Sequence, residues 1–145
     1  EPLRNGLEVT FQSGLLFDTG SADLTEKVQD ALKIMVEIIG ANINEDEIVI
    51  EGHTDDVPIN TALFPSNWEL SSVRASRVVR EFIKYGFDPT RINAVGFADS
   101  KPLVPNIDEN GTPLPQNRAR NRRVVIKIVA PGYIDSKKST NAKSQ

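Results

Sequence analysis

A chain of 145 residues has room for one domain with a sizeable core, and a hydrophobic fraction of 39% with a charged fraction of 26% is that of an ordinary globular domain. A net charge of −3 argues against a polyanion-binding surface spread over the whole molecule, and the absence of cysteine removes disulfides, thiolate metal sites and cysteine nucleophiles together without fixing the compartment. One histidine, His53, cannot build a histidine-rich metal site, and no apolar run reaches the ~18 residues a membrane helix needs. No secretory pattern opens the chain and its first residue is Glu1, so it reads as a fragment or a processed product.

Residues 6–12 (GLEVTFQ) alternate apolar and polar, which predicts a half-buried strand with Leu7, Val9 and Phe11 facing one way. Residues 13–23 hold two glycines and several short polar side chains and read as a loop anchored by Leu15, Leu16 and Phe17. A helix is expected over 24–39. Leu24, Val28, Ala31, Leu32, Met35 and Ile39 recur on one face, Asp23 and Glu26 lie at the positive end, and Gly40 provides a stop. Residues 47–53 (EIVIEGH) are rich in β-branched side chains and suit a central strand.

The second helix is expected within 64–85. Ser66 and Glu69 have capping-box spacing, Leu70, Ala75, Val78, Val79, Phe82 and Ile83 supply a buried face, and Gly86 ends it. Arg77 and Glu81, four apart, read as a solvent-exposed pair. Residues 91–98 form a third strand, 99–116 a long proline-rich loop, 117–121 one helical turn and 122–129 a fourth strand. From Pro131 onward the polar sequence has no period, so a globular part over 1–130 and a flexible tail over 131–145 are expected. The order β-α-β-α-β-(turn)-β predicts an α/β (α+β) two-layer sandwich, with both helices on one face of a mixed four-stranded sheet.

Chemistry concentrates between Gly52 and Ala75. Asp55 and Asp56 follow the second strand, at the edge where open sheets place ligands. Both also suit a turn, since aspartate caps nearby amides. Adjacent residues on extended backbone point apart, so the two carboxylates do not converge on one bond, and no nucleophile or base accompanies them. The segment lacks the further oxygens of a calcium loop. Arg74 lies seven residues after Asn67, two helical turns along the same stripe, and its side chain leans back toward the Asp55 loop. A carboxylate and a guanidinium so placed complement a zwitterion. Both are expected outside the packed core, so that either could be replaced without unfolding the chain. The side chain of Asp56 is expected to point away from that of Asp55.

The basic run RARNRR (Arg118, Arg120, Arg122, Arg123) invites a nucleic-acid reading, but it enters a core strand and has no flanking aromatics to stack bases. Strand alternation sends Arg122 and Arg123 to opposite faces. Trp68 and Phe64 have no evident place on the buried stripe. Two readings stay open for them: pairing with a second copy, or packing beneath the chain's own loop.

Thr54-Asp55 after a strand, Asn67-x-x-Leu70-Ser71-x-x-Arg74-Ala75, Gly96, Pro102 and Asn121-Arg122-Arg123-Val124 together resemble the OmpA-like peptidoglycan-binding domain, over roughly residues 7–129. The loop from Val57-Pro58-Ile59 through Phe64-Pro65-Ser66-Asn67-Trp68 is closer to one branch, the B subunit of the bacterial flagellar stator (MotB/PomB type). The resemblance implies a non-catalytic periplasmic anchor, part of an inner-membrane protein, that holds the diaminopimelate of a peptidoglycan stem peptide. It implies Asp55 and Arg74 as the gripping residues, with Thr54, Asn67 and Arg122 lining the same pocket. It also implies a homodimer, and a stator A subunit met through an N-terminal membrane helix that this chain lacks. No cofactor, metal or nucleic-acid partner is expected. The alternatives are the wall anchor of an OmpA/Pal-type outer-membrane protein and a wall hydrolase.

Overall fold

The computed structural model describes residues 7–42 and 45–134. In chain order the elements are β1 (Leu7–Gln12), α1 (Ser13–Leu16), α2 (Glu26–Asn42), β2 (Glu47–His53), α3 (Asn67–Lys84), a 3-10 turn (Pro89–Arg91), β3 (Ile92–Gly96), α4 (Pro115–Asn121) and β4 (Arg123–Val129). Among the described residues the strands form one sheet in the order β1-β4-β2-β3. The β2–β3 pair is parallel and the other two are antiparallel, so the expected mixed sheet is present with β2 and β4 in its centre.

Alternation along the two central strands explains the layering. Ile48 and Ile50 of β2 and Val124 and Ile126 of β4 point to the same side and pack with Leu32, Val36 and Ile39 of α2 and Ala75, Val78 and Phe82 of α3. The opposite side carries Glu51, His53, Arg123 and Lys127, where Lys127 Nζ pairs with Glu51 Oε2 at 2.8 Å. Two helices over one side of the sheet make the two-layer α+β architecture.

Several expectations change. β1 is an edge strand, and Leu7 and Val9 are exposed rather than half-buried. A short helical turn, α1, replaces the first part of the expected loop and buries Leu16, while Leu15 faces solvent. α2 begins at Glu26 and runs through Gly40 to Asn42. Its buried face includes Val36, and Ala31 is exposed. β3 spans only Ile92–Gly96: Arg91 belongs to the 3-10 turn capped by the Asp88 side chain, and the chain leaves the strand before Ala98, which has a positive φ of 52°; α4 starts two residues earlier than expected, at Pro115.

Glu81 is the largest departure. It is fully buried, not solvent-exposed, and Arg77 Nη1 at 2.9 Å and the Tyr85 hydroxyl at 2.8 Å both donate to its carboxylate. Burial pushes the carboxyl's pKa up, but these two donors together with the nearby Lys84 and Arg77 charges more than offset that and hold it below the ordinary glutamate value. At the other end, residues 131–134 of the expected tail form a turn whose Ile134 N–H donates to Glu47 Oε1 at 3.0 Å, and the rest of that tail lies outside the described residues.

Candidate functional site

β2 ends at His53, and the chain turns under α3. The Thr54 N–H donates to the Ala98 carbonyl at 2.9 Å, and the Thr54 hydroxyl donates to the Asp55 carbonyl at 2.7 Å. These two bonds hold the geometry of the turn. Asp55 is buried. Its Oδ1 accepts the Val57 N–H at 3.0 Å and its Oδ2 accepts Arg122 Nη1 at 2.6 Å. Asp56 turns elsewhere and accepts Arg118 Nε at 2.8 Å, so the two carboxylates diverge as the extended backbone requires.

α3 supplies the facing wall. Ser66 caps it by accepting the Trp68 N–H at 3.1 Å, and the Ser66 hydroxyl also bonds the Glu69 carboxylate, a variant of the capping box. Asn67 Nδ2 donates to the Val57 carbonyl at 3.0 Å and ties the Asp55 loop to the first turn of the helix. Ser71 Oγ accepts the Ala98 N–H at 3.0 Å, which ties the same helix to the segment after β3.

Two helical turns beyond Asn67, Arg74 is only 7% exposed. Its Nε donates to the Ser21 carbonyl at 2.8 Å, its Nη2 donates to the Asp18 carbonyl at 3.2 Å, and its guanidinium lies 5.0 Å from the centre of the Phe17 ring. Asp55 and Arg74 are thus both buried rather than outside the packing, which corrects the sequence expectation for each: Asp55 lies against Arg122, and Arg74 lies beneath residues 13–23. The reason is long-range: the 13–23 segment folds back over α3. Burial, reinforced by the nearby Arg122 charge, pushes the Arg74 pKa below the ordinary arginine value. Among the described residues no carboxylate pairs with this cation.

Thr54, Asp55, Asn67, Arg74 and Arg122, named from sequence, all line one cavity of about 480 Å³. Its remaining lining is apolar or uncharged, with Phe17 and Leu70 on the inner side and Val57, Pro58 and Ile59 from the loop. Arg123 goes to the other side of the sheet, as strand alternation dictates, and donates to the carbonyls of Asn121 and Lys101. Phe64 is buried and Trp68 is half exposed, so the two part company and only Trp68 is left at the surface.

Sequence reasoning gave no role to the 13–23 segment beyond anchoring, although its carbonyls hold Arg74 and Ser13, Gly14, Thr19 and Gly20 line the cavity. It also gave no role to Asn121. This fully buried amide accepts the N–H groups of Leu103 and Val104 and donates to the Val104 carbonyl and to Asn106 Oδ1. It clamps the long loop to the end of α4 and fixes the start of the segment that carries Arg122. The available signal was an asparagine directly before a strand and after a long loop.

The OmpA family matches residues 16–122. The Bacillus subtilis protein YtxE is 38% identical over 124 residues, which cover 85% of this chain and 48% of that protein. Motility protein B of the same organism is 30% identical over 132 residues, covering 90% of this chain and 48% of the relative. The chain thus spans about half the length of these relatives. Among solved structures, the periplasmic domain of Helicobacter pylori MotB superposes with a TM-score of 0.76 at 26% identity, covering 99% of this chain and 96% of that one. The cell wall anchor of the T6SS from Pseudomonas aeruginosa gives 0.74 at 32% identity, covering 85% and 80%. By a match that runs through most of its length and takes in Asp55, Asn67, Arg74 and Arg122, the chain belongs to the OmpA family.

Proposed function

We propose that this chain is a non-catalytic peptidoglycan-binding domain, which anchors the protein that carries it to the cell wall by gripping the diaminopimelate of a stem peptide. The observation that carries the reading is one cavity lined by a buried carboxylate, Asp55, and a buried guanidinium, Arg74. Diaminopimelate's free end bears an ammonium and a carboxylate on one carbon, so Asp55 takes the first and Arg74 the second. Thr54, Asn67 and Arg122 complete the lining. Each charge-assisted bond contributes on the order of 1.5–3 kcal/mol net, which suits an anchor that holds weakly at each site and releases.

The relatives support a wider setting. Motility protein B and the wall anchor from Pseudomonas aeruginosa share this fold, and the MotB structure is of a periplasmic domain. We place the chain in the periplasm as the wall-binding part of a stator-type B subunit, which works as a homodimer beside a membrane-embedded A subunit. The cavity lining has no histidine, and its one carboxylate is held by Arg122, so it offers no nucleophile–base pair for hydrolysis.

The test is sedimentation with purified diaminopimelate-type peptidoglycan. Asp55→Asn keeps the shape and the acceptor for the Val57 N–H but removes the charge. It should lose wall binding while circular dichroism stays that of the parent. Asp56→Asn, whose side chain bonds Arg118 outside the cavity, should bind as the parent does. An Asp55→Asn protein that still sediments fully would remove the clamp, and failure of Asp56→Asn alone would put the chemistry on the wrong carboxylate.

A further inference from the structure

We propose that the side of the sheet turned away from the helices carries a second ligand site, for a small oxyanion with a hydroxyl group on a neighbouring carbon. The site is a groove of about 330 Å³ whose lining includes Glu51, His53, Phe97, Lys101, Arg123 and Lys127. Strand alternation sets it back to back with the first cavity, with Arg122 serving one side of the sheet and Arg123 the other. The two sites share no lining residue, so neither depends on the other.

His53 is the first observation. It is only 4% exposed, and its Nε2 donates to Glu51 Oε1 at 3.0 Å. A neutral imidazole that donates through one nitrogen keeps the other as a bare acceptor. That atom, Nδ1, is buried and has no hydrogen-bond partner among the described residues. Buried polar atoms are nearly always satisfied, so an orphan in the wall of a groove calls for a donor from outside the chain. The ring is held in place by stacking on Phe97, with 5.1 Å between centroids.

Arg123 is the second observation, and it comes from the other central strand. It stands directly opposite His53 in the β2–β4 register, which puts the two Cβ atoms about 4.5–5.5 Å apart. Arg123 is buried, and its Nη1 and Nη2 donate to the carbonyls of Asn121 at 3.1 Å and Lys101 at 3.2 Å. Among the described residues no carboxylate is in ion-pair contact with it. Burial pushes its pKa below the ordinary arginine value, against the upward pull of the Glu51 and Glu8 charges. Glu51 is itself taken by His53 and by Lys127 Nζ at 2.8 Å. Lys101 adds a cation at the mouth of the groove, its Nζ 5.5 Å from the centre of the Phe97 ring.

An oxyanion supplies the partner that Arg123 and Lys101 lack, and a hydroxyl supplies the donor that Nδ1 lacks. Because His53 and Arg123 are cross-strand neighbours, both groups can belong to one small molecule. Glycerol phosphates and short hydroxy acids have this pattern. Simple phosphates, simple carboxylates and neutral polyols have half of it.

NMR titration of the folded chain tests the site. The chain has one histidine, so the imidazole nitrogen signals report His53 alone. The probes are glycerol phosphate and glycerate, each beside a counterpart without carbon-bound hydroxyls, ethyl phosphate and propionate. At least one hydroxylated anion should bind roughly three- to tenfold more tightly than its counterpart, and the tighter of the two names the oxyanion. Its binding should move the Nδ1 signal of His53 and the backbone amides of Phe97, Lys101 and Arg123. Lys101→Gln, a change at an exposed side chain, should weaken the preferred anion and its counterpart alike. His53→Phe keeps an aromatic ring against Phe97 and should erase the preference for the hydroxyl; if that variant does not fold, the Nδ1 signal and Lys101→Gln decide. The site is refuted if Nδ1 does not move at saturation, or if hydroxylated and plain anions bind alike. It is refuted equally if the shifts gather at Thr54, Asn67 and Arg74, because the anion has then entered the first cavity.

Discussion

Arg74 holds the carbonyls of Ser21 and Asp18 and lies over the Phe17 ring, so its side chain braces the 13–23 segment as well as facing the cavity. Arg74→Ala strips the donor from two carbonyls and removes the cation over the ring. The expected cost is about 1–3 kcal/mol of folding stability, together with loss of wall binding. Arg74→Lys keeps the charge without the planar fork and should fall between parent and alanine variant on both counts. Urea denaturation beside wall sedimentation reads the two effects separately. An Arg74→Ala protein as stable as the parent would mean that the guanidinium stands in solvent. Residue type and spacing made it legible that Asp55 and Arg74 face one cavity, because the turn after β2 and the α3 stripe that begins at Asn67 lie against each other. Burial was not legible. The carbonyls that hold Arg74 lie 53 and 56 residues away along the chain, and no local pattern encodes contacts of that range. Asn121 is hidden for the same reason, since its partners are 15 to 18 residues upstream in an irregular loop.

The element that sets the site is α3, and two glycines decide how closely it approaches the sheet. A methyl group added at Gly52 in β2 would run into the Ser71 carbonyl oxygen, and one at Gly96 in β3 would meet the Ser72 backbone and hydroxyl. Because Gly52 stands just before the turn with Thr54 and Asp55, the same contact fixes the distance between that turn and Arg74. Gly52→Ala should therefore push the helix outward, cost about 1–3 kcal/mol or more, and weaken wall binding in the surviving folded fraction. Thermal unfolding measured with ligand titration checks this, and an unchanged melting temperature would show that α3 tolerates the shift. The α3, β2 and β4 elements were readable because periodicity and capping agreed with the final packing. The four residues of α1 are too short to show a period, and Gly40 misled because a glycine on an exposed helix face weakens a helix without ending it. The Arg77–Glu81 spacing was readable, but which of its members is buried depends on how α3 lies against its neighbours.

At the scale of the molecule, the net charge of −3 gives no long-range attraction to an anionic wall, so on the proposed reading affinity rests on the local cavity. A few charge-assisted bonds, set against the loss of translational and rotational freedom, leave a single domain weakly bound. Two domains on one tether change this without new contacts, because the second binding step becomes intramolecular. Joining two copies through a heterodimeric coiled coil should allow retention on peptidoglycan at protein concentrations roughly 10²-fold lower than a single copy requires. A pair in which one copy carries Asp55→Asn should fall back to the single-copy level, since one intact cavity provides no second attachment. Quantitative sedimentation over a dilution series distinguishes these cases. If the mixed pair is retained like the intact pair, the tether acts through some surface other than the cavity, and the half-exposed Trp68 beside it becomes the first residue to replace. If single copy and intact pair sediment alike, each domain already holds the wall tightly, and weak, reversible anchoring is the wrong description of this site.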